Sequence, residues 1–165
     1  MKVLQRVEKA LAALRQPTVR ELREMLLSLA CTKEELAPYV TEPAQLLYGR
    51  NVIGRTEEAE VIVIHIPART ATRIHDHGCS AGCALVIEGT LRNTIYRNEG
   101  RGEAVCASSE AILREGQLMD APHGQIHQMA NPASGRTVSL HVYAPPLSGT
   151  KTYRAAEEYV LDYVI

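Results

Sequence analysis

Apolar residues recur at helical spacing at the start of the chain. Over residues 3–15, five apolar side chains fall on one face of a helix: Val3, Leu4, Val7, Leu11 and Leu14. This spacing is typical of an amphipathic helix that packs one face against a core. Pro17 then ends the pattern, because proline lacks the N–H that a helix interior requires.

Two capping motifs predict further helices downstream. The segments TVRE (Thr18 to Glu21) and TKEE (Thr32 to Glu35) both have the Thr-x-x-Glu form of a capping box. In this motif the two side chains satisfy backbone N–H groups that the first helical turn leaves without partners. We therefore expect residues 1–40 to form helices that pack on the rest of the chain.

After this helical part, the pattern changes to short runs rich in β-branched residues. The runs are separated by Gly, Asn and Pro, and they read EVIVIHIP, CALVIEGTL, NTIYRNEG, AVCASSEAIL and TVSLHVYAPP. Such runs are typical of the strands of a sandwich or barrel. The run VIVIHI is apolar at both alternating sets of positions, which predicts a central strand covered on both faces.

The C-terminal segment TKTYRAAEEYVLDYVI carries two conflicting patterns. Its RAAEE portion favours a helix, whereas the alternation of Tyr159, Leu161 and Tyr163 favours strands. A strand pair is our prediction for this segment.

Length and composition favour one structural domain. A chain of 165 residues with 45% hydrophobic residues is long enough to bury a substantial core. We expect helices over residues 1–40 to pack on a barrel over residues 41–165. Eighteen basic and nineteen acidic residues give a net charge of −1, which argues against a nucleic-acid partner.

The cysteines and the N-terminus bear on the cellular compartment. The opening MKVLQRVEKALAALRQ contains charges at Arg6, Glu8 and Lys9, so it lacks the apolar run of a signal peptide, and no stretch reaches membrane-spanning length. Four cysteines follow no CxxC or disulfide-framework spacing: Cys31, Cys79, Cys83 and Cys106. We expect reduced thiols and a cytoplasmic protein.

Candidate metal ligands occur in two separate segments. In IHDHGCSAG, His75 and His77 are two residues apart, so on a strand both project from one face while Asp76 points away. Such a pair alone is as compatible with a solvated strand face as with a metal site. The second segment is GQLMDAPHGQIHQMAN. Five of its residues are spaced as in the second motif of the cupin family, which the segment therefore resembles: Gly116, Pro122, Gly124, His127 and Asn131.

The first segment resembles the first cupin motif with one departure. The histidine pair and Gly89 fit the family's spacing, but Gly82 stands where the family usually has a glutamate. The resemblance implies a double-stranded β-helix barrel with three histidine ligands and no carboxylate. Three neutral imidazoles suit Zn, Fe, Ni or Cu, and they leave the full charge of a divalent ion for an anionic substrate such as a thiolate.

Three segments together resemble the cysteine dioxygenase family within the cupins. They are YGRN at residues 48–51, IHDHGCSAG at residues 74–82 and SLHVYAPP at residues 139–146. The resemblance implies oxidation of L-cysteine by dioxygen to cysteine sulfinate at one Fe(II) per chain, bound by His75, His77 and His127.

The same resemblance assigns roles to five further residues. Arg50 is expected to bind the substrate carboxylate, a task that suits its planar pair of N–H donors. Tyr48 is expected to assist it, and Tyr143 to lie beside the substrate and dioxygen. His141 and Ser139 share a strand face with Tyr143 and are expected to form a relay with it. The balanced charge and the absence of a membrane-spanning stretch predict no nucleic-acid or membrane partner, and we expect a monomer or a weak homo-oligomer.

Gly82 has a second implication. In the animal enzymes of this family a cysteine at that position forms a thioether with the tyrosine that matches Tyr143. Glycine cannot form this bond, and alternation along the strand directs Cys83 to the opposite face. We therefore predict that Tyr143 is not crosslinked, which intact-mass measurement after turnover can test.

Three alternative functions remain open at this stage. One is a dioxygenase for 3-mercaptopropionate or another small thiol, although members with that preference usually carry Gln where this chain has Arg50. Another is a cupin that binds a ligand without catalysis, and the third is a zinc-dependent isomerase or hydrolase. His65 and His123 receive no role, and His65 is expected in or beside the core.

Overall fold

The computed structural model describes residues 2–100 and 102–156, in which a helical segment precedes ten strands. The helices are α1 (Val3–Ala13), α2 (Val19–Leu29) and α3 (Lys33–Leu36), followed by a 3₁₀ turn at Ala37–Tyr39. The strands are β1 (Gly49–Arg55), β2 (Glu60–Ile66), β3 (Ile74–His75), β4 (Ala81–Glu88), β5 (Thr90–Arg97), β6 (Ala104–Arg114), β7 (Leu118–Ala121), β8 (Ile126–Ala130), β9 (Thr137–Ala144) and β10 (Thr152–Ala155). The prediction of a mainly β protein with N-terminal helices is confirmed.

Both predicted capping boxes are present. The Thr18 hydroxyl accepts the Glu21 N–H at 3.3 Å, and the Glu21 carboxylate accepts the Thr18 N–H at 2.7 Å. Thr32 and Glu35 make the same pair of bonds at the start of α3. Helix α1 ends at Ala13, two residues earlier than predicted, because Leu14 is extended and its N–H donates to the Leu11 carbonyl.

The strands form two layers. One layer has the order β1-β2-β9-β4-β7. The other has the order β10-β3-β8-β5-β6, and it closes because β10 pairs antiparallel with β3 and parallel with β6. Strand β9 lies between β2 and β4 and pairs with both along nearly its whole length.

Alternation along β2 separates two core clusters. Val61 and Val63 belong to the cluster that also contains the buried faces of α1 and α2, whereas Ile62 and Ile64 belong to the cluster inside the barrel. The prediction of a strand covered on both faces is therefore confirmed. His65 is buried as expected, and its Nδ1–H donates to the Thr41 carbonyl at 3.0 Å.

The strand pair predicted for the C-terminal segment falls only partly on described residues. Residues 152–155 form β10, while the alternation of Tyr159, Leu161 and Tyr163 lies outside the described residues. The boundary at residue 40 stays a prediction, although helices and sheet share one core cluster. Among the described residues, every helix is too short or too polar to cross a bilayer.

Candidate metal centre and substrate cavity

The three predicted histidine ligands meet inside the barrel. His75 ends β3 and is the register partner of His127 on β8, and His77 follows two residues later. One ring nitrogen of each lies within 4.8 Å of the others, and the Nε2 atoms of His77 and His127 are 3.1 Å apart. The strand itself ends at His75, so the prediction that both histidines lie on it was wrong for His77. The Ser80 N–H donates to the His77 carbonyl and closes a turn at that point.

Hydrogen bonds orient two of the imidazoles. The Nδ1–H of His75 donates to the Arg73 carbonyl at 2.8 Å, and the Nδ1–H of His127 donates to the Asn93 side-chain oxygen at 2.8 Å. Both bonds leave Nε2 without its proton, in the form that ligates a metal. His77 Nδ1 is buried with no hydrogen-bond partner among the described residues.

Burial keeps the three imidazoles neutral. Burial lowers the pKa of His77 to about 4, with a smaller contribution from repulsion between the protonated forms of His75 and His77. Burial also lowers the pKa values of His75 and His127. Nitrogen ligands that bind one ion at about 2.1 Å lie about 3 Å apart, close to the His77–His127 spacing. Three imidazole nitrogens within 4.8 Å of one another are thus a donor set that fits a divalent transition-metal ion.

Asp76 points away from this cluster, as predicted. Its Oδ1 accepts the N–H groups of Gly78 and Lys151 at 3.0 and 2.9 Å, and its Oδ2 accepts the Tyr153 hydroxyl at 2.8 Å. Asp76 therefore attaches the turn that carries His77 to β10 and to the end of the segment before it.

Three side chains on β9 form a hydrogen-bonded chain along the strand. Ser139 Oγ is 2.8 Å from His141 Nε2, and His141 Nδ1 is 3.1 Å from the Tyr143 hydroxyl. All three are buried. Burial lowers the pKa of His141 to about 3 and raises the pKa of Tyr143, so the imidazole is neutral and the phenol keeps its proton.

A cavity of about 300 Å³ adjoins the histidines and collects most of the predicted residues. Its polar lining includes Tyr48, Arg50, His75, His77 and Tyr143. Its apolar lining comes from Leu46, Ile62, Ile64, Met129 and Leu147. His127, Ser139 and His141 are fully buried behind this surface. His123 is exposed and separate from the cluster.

The family model for cysteine dioxygenase type I matches residues 7–156. The chain belongs to the cysteine dioxygenase type I family. The match covers both the helices and the barrel, so the N-terminal segment is part of what this chain shares with the family.

Several solved structures share the fold of this family member at low sequence identity. An uncharacterised conserved protein with a double-stranded β-helix domain from Klebsiella pneumoniae superposes with a TM-score of 0.56, at 24% identity over 72% of this chain and 94% of that chain. TT1209 from Thermus thermophilus gives a TM-score of 0.55, at 20% identity over 67% and 94%. Oxalate decarboxylase from Bacillus subtilis gives 0.57, at 12% identity over 72% and 30%. These similarities confirm the predicted double-stranded β-helix.

The sequence had indicated no role for three residues that support the site of this cysteine dioxygenase family member. Asn93 orients His127, Asp76 attaches the His77 turn, and Glu60 contacts Arg50. An asparagine within the strand NTIYR and a glutamate at the head of the doubly covered strand EVIVIHI were the available signals, because a polar side chain inside such a strand requires a partner.

Gly82 directly faces Tyr143. The two are register partners on β4 and β9, and a Cβ at position 82 would lie 2.5 Å from Tyr143 Cδ1 and also too close to the Val142 carbonyl oxygen. Cys83 lies in the cluster shared with the helices, whereas Tyr143 lies inside the barrel, so the two occupy opposite faces as predicted. The absence of a crosslink itself stays a prediction.

We expect Gly82→Ala to lower stability and activity together. The added methyl group has to displace the Tyr143 ring or the backbone of β9, and overpacking of this kind costs about 1–3 kcal/mol. Thermal unfolding and oxygen consumption measure the two effects. Gly135→Ala is the matched control, since a Cβ there meets no atom within 4 Å. If the two variants unfold at the same temperature, the close packing of Gly82 on Tyr143 is refuted.

Proposed function

We propose that the protein is an iron(II)-dependent thiol dioxygenase that converts L-cysteine and dioxygen into cysteine sulfinate. Both oxygen atoms pass to the substrate sulfur, so the reaction requires no further reductant. The observation that carries the proposal is that Arg50 lines the same 300 Å³ cavity as His75 and His77. A metal-binding group and a carboxylate-binding group therefore face one small substrate space.

The proposed metal ligands are His75, His77 and His127. An iron(II) ion held by these three residues would supply the redox chemistry that brings dioxygen to react with a thiolate. The three imidazoles carry no charge, so they leave the ion's charge uncompensated and favour an anionic ligand. Gly82 adds no carboxylate to compete with that ligand.

Arg50 and Tyr48 are proposed to bind the substrate carboxylate. The guanidinium can donate two parallel hydrogen bonds to the two carboxylate oxygens, which fixes both the position and the orientation of the substrate. The Arg50 side chain is 32% exposed, so its donors are accessible from the cavity. The apolar walls at Ile62, Ile64 and Met129 limit water around the reacting sulfur.

Tyr143 is proposed to donate a hydrogen bond into the cavity. If Ser139 donates to His141 Nε2, then His141 Nδ1–H donates to the Tyr143 oxygen, and the phenolic proton is left for the substrate or dioxygen. The buried, protonated phenol is suited to this role because its raised pKa retains the proton at neutral pH. His141 and Ser139 act on the reaction through Tyr143.

We expect Tyr143→Phe to lower kcat about 100-fold, the usual effect of removing one preorganised donor, with KM for L-cysteine changed less than about threefold. Steady-state oxygen consumption measures both constants. Tyr96→Phe is the matched control, because Tyr96 bonds Gln128 at 3.4 Å and does not line the cavity. An unchanged kcat in Tyr143→Phe would remove Tyr143 from the mechanism.

One experiment tests the proposed function directly. The protein is loaded with Fe(II) under anaerobic conditions, L-cysteine and oxygen are added, and cysteine sulfinate is measured by mass spectrometry, with 3-mercaptopropionate in parallel. Sulfinate formed preferentially from L-cysteine supports the proposal. A clear preference for 3-mercaptopropionate overturns the cysteine assignment, and a folded, iron-loaded protein that produces no sulfinate from either thiol overturns the dioxygenase assignment.

A further inference from the structure

Glu60 is a fully buried carboxylate that contacts Arg50 and Leu147, two residues of the cavity wall. It begins β2, and its side chain is 1% exposed. By alternation along the strand it shares the face of Ile62 and Ile64, both of which line the cavity. Its register partner on β9 is Tyr143. Among residues 2–100 and 102–156 it is the one acidic residue in the buried class.

One oxygen of Glu60 joins two parts of the cavity wall. Oε1 accepts the Leu147 N–H at 2.8 Å and lies 3.5 Å from the Arg50 Nη2. Leu147 belongs to the segment 145–151 between β9 and β10, which also brings Ser148 and Thr150 to the cavity. A single carboxylate thus contacts both the arginine and the segment that encloses the substrate space.

The other oxygen of Glu60 is nearly free. Oε2 lies 3.7 Å from Arg55 Nη1, and it has no hydrogen bond within the described part of the chain. A buried carboxylate with an unsatisfied oxygen is costly, so its retention at this position requires an explanation. Arg55 is 59% exposed, and solvent screens its charge, which leaves Arg50 as the effective partner.

The contact with Glu60 engages only part of the Arg50 guanidinium. Arg50 lines the cavity, and its side chain is 32% exposed. Glu60 is the only hydrogen-bonding partner of Arg50 among the described side chains, and it contacts one terminal nitrogen at the limit of hydrogen-bonding distance. The remaining N–H groups of Arg50 are therefore available to a ligand.

We propose that Glu60 is a positioning residue that determines the preference for thiols bearing a carboxylate. It holds Arg50 and the 145–151 segment in one arrangement, so that Arg50 meets the substrate carboxylate without first losing conformational freedom. An arginine fixed in its binding geometry before the ligand arrives binds more tightly than a mobile one. The inference rests on the proposed function, because it takes Arg50 as the receptor for that carboxylate.

The test compares two thiols that differ by the carboxylate. Calorimetry under anaerobic conditions gives the Kd values of L-cysteine and cysteamine for the iron(II)-loaded protein, and no turnover is required. The wild type is expected to bind L-cysteine about 10- to 100-fold more tightly, the ratio that a charge-assisted pair of hydrogen bonds provides. In Glu60→Gln, which keeps an acceptor for Leu147 but removes the charge, the ratio is expected to fall to about threefold.

A double-mutant cycle tests whether Glu60 acts through Arg50. In the Arg50→Gln background, Glu60→Gln is expected to change the cysteine-to-cysteamine ratio no further, because the group it positions is absent. Glu88→Gln is the matched control for loss of a paired carboxylate, since Glu88 bonds Arg136 at the opposite end of β4 from Gly82. Should Glu60→Gln not fold, Glu60→Asp keeps the charge, shortens the side chain and replaces it in the comparison.

The outcomes separate this inference from the proposed function. A wild type that binds the two thiols equally overturns the role of Arg50 and with it the cysteine assignment. A wild type that prefers L-cysteine, together with a Glu60→Gln variant that keeps the full preference, overturns the role of Glu60 alone. Equal weakening of both thiols in Glu60→Gln also overturns it, because that result indicates a general structural role.

Discussion

Replacing Arg50 with glutamine is expected to lower kcat/KM for L-cysteine about 100- to 1000-fold. The substrate carboxylate loses its charged partner, and Glu60 is left buried beside a neutral amide. Truncating one member of a buried charge pair costs about 2–5 kcal/mol, and a 100- to 1000-fold loss, about 2.7–4.1 kcal/mol, lies within that range. We expect most of the loss in KM, since Arg50 holds the part of the substrate that does not react. Oxygen consumption across a series of L-cysteine concentrations measures both constants.

The control for Arg50→Gln is Arg136→Gln. Arg136 also forms an ion pair with a glutamate, at 3.0 Å, but it lies outside the cavity, and its replacement is expected to change kcat/KM less than about twofold. If Arg50→Gln keeps a KM within about twofold of the wild type, the carboxylate of the substrate binds elsewhere.

Removing His127 is expected to abolish both metal binding and activity. His127 is fully buried, its ring is oriented by Asn93, and its Nε2 approaches that of His77. In His127→Ala two ligands remain and a cavity replaces the third, so iron retained after dialysis is expected to fall from about one ion per chain to below about one tenth. Sulfinate formation is expected to fall more than about 1000-fold, because the site loses both its metal and the chemistry that the metal supplies.

Metal analysis and sulfinate detection on the same His127→Ala sample separate binding from catalysis. His123→Ala is the matched control, because His123 is exposed and lies outside the histidine cluster, and it is expected to retain wild-type iron and activity. Full iron occupancy in His127→Ala would show that the metal binds without this residue and would refute the three-histidine site.

The cluster of three histidines was predictable because its signal is a spacing that the fold requires. His75 and His77 lie 50 and more residues before His127, and glycine and proline at fixed positions around them mark the turns of a cupin barrel. Alternation likewise predicted that Ser139, His141 and Tyr143 share a face, and the hydrogen bonds among them follow from it.

The supporting contacts were not predictable in the same way. Glu60 follows Glu57 and Glu58 in TEEAE, where it resembles one more acid of an exposed turn. Only the pairing of β2 with β9 places it inside the barrel. Asn93 and Asp76 likewise acquire their partners from strands and segments 34 and 75 residues away, a separation that no local pattern encodes.

The alternation of β9 links the stability of the protein to the integrity of the candidate site. Val138, Leu140 and Val142 contribute to the core shared with the helices, whereas the intervening residues form the hydroxyl-imidazole chain. A slip of β9 by one residue between its two neighbours would exchange the two sets entirely. The register of this one strand therefore determines both the packing of the core and the formation of the hydroxyl-imidazole chain, so a shift by one residue would disrupt the two together.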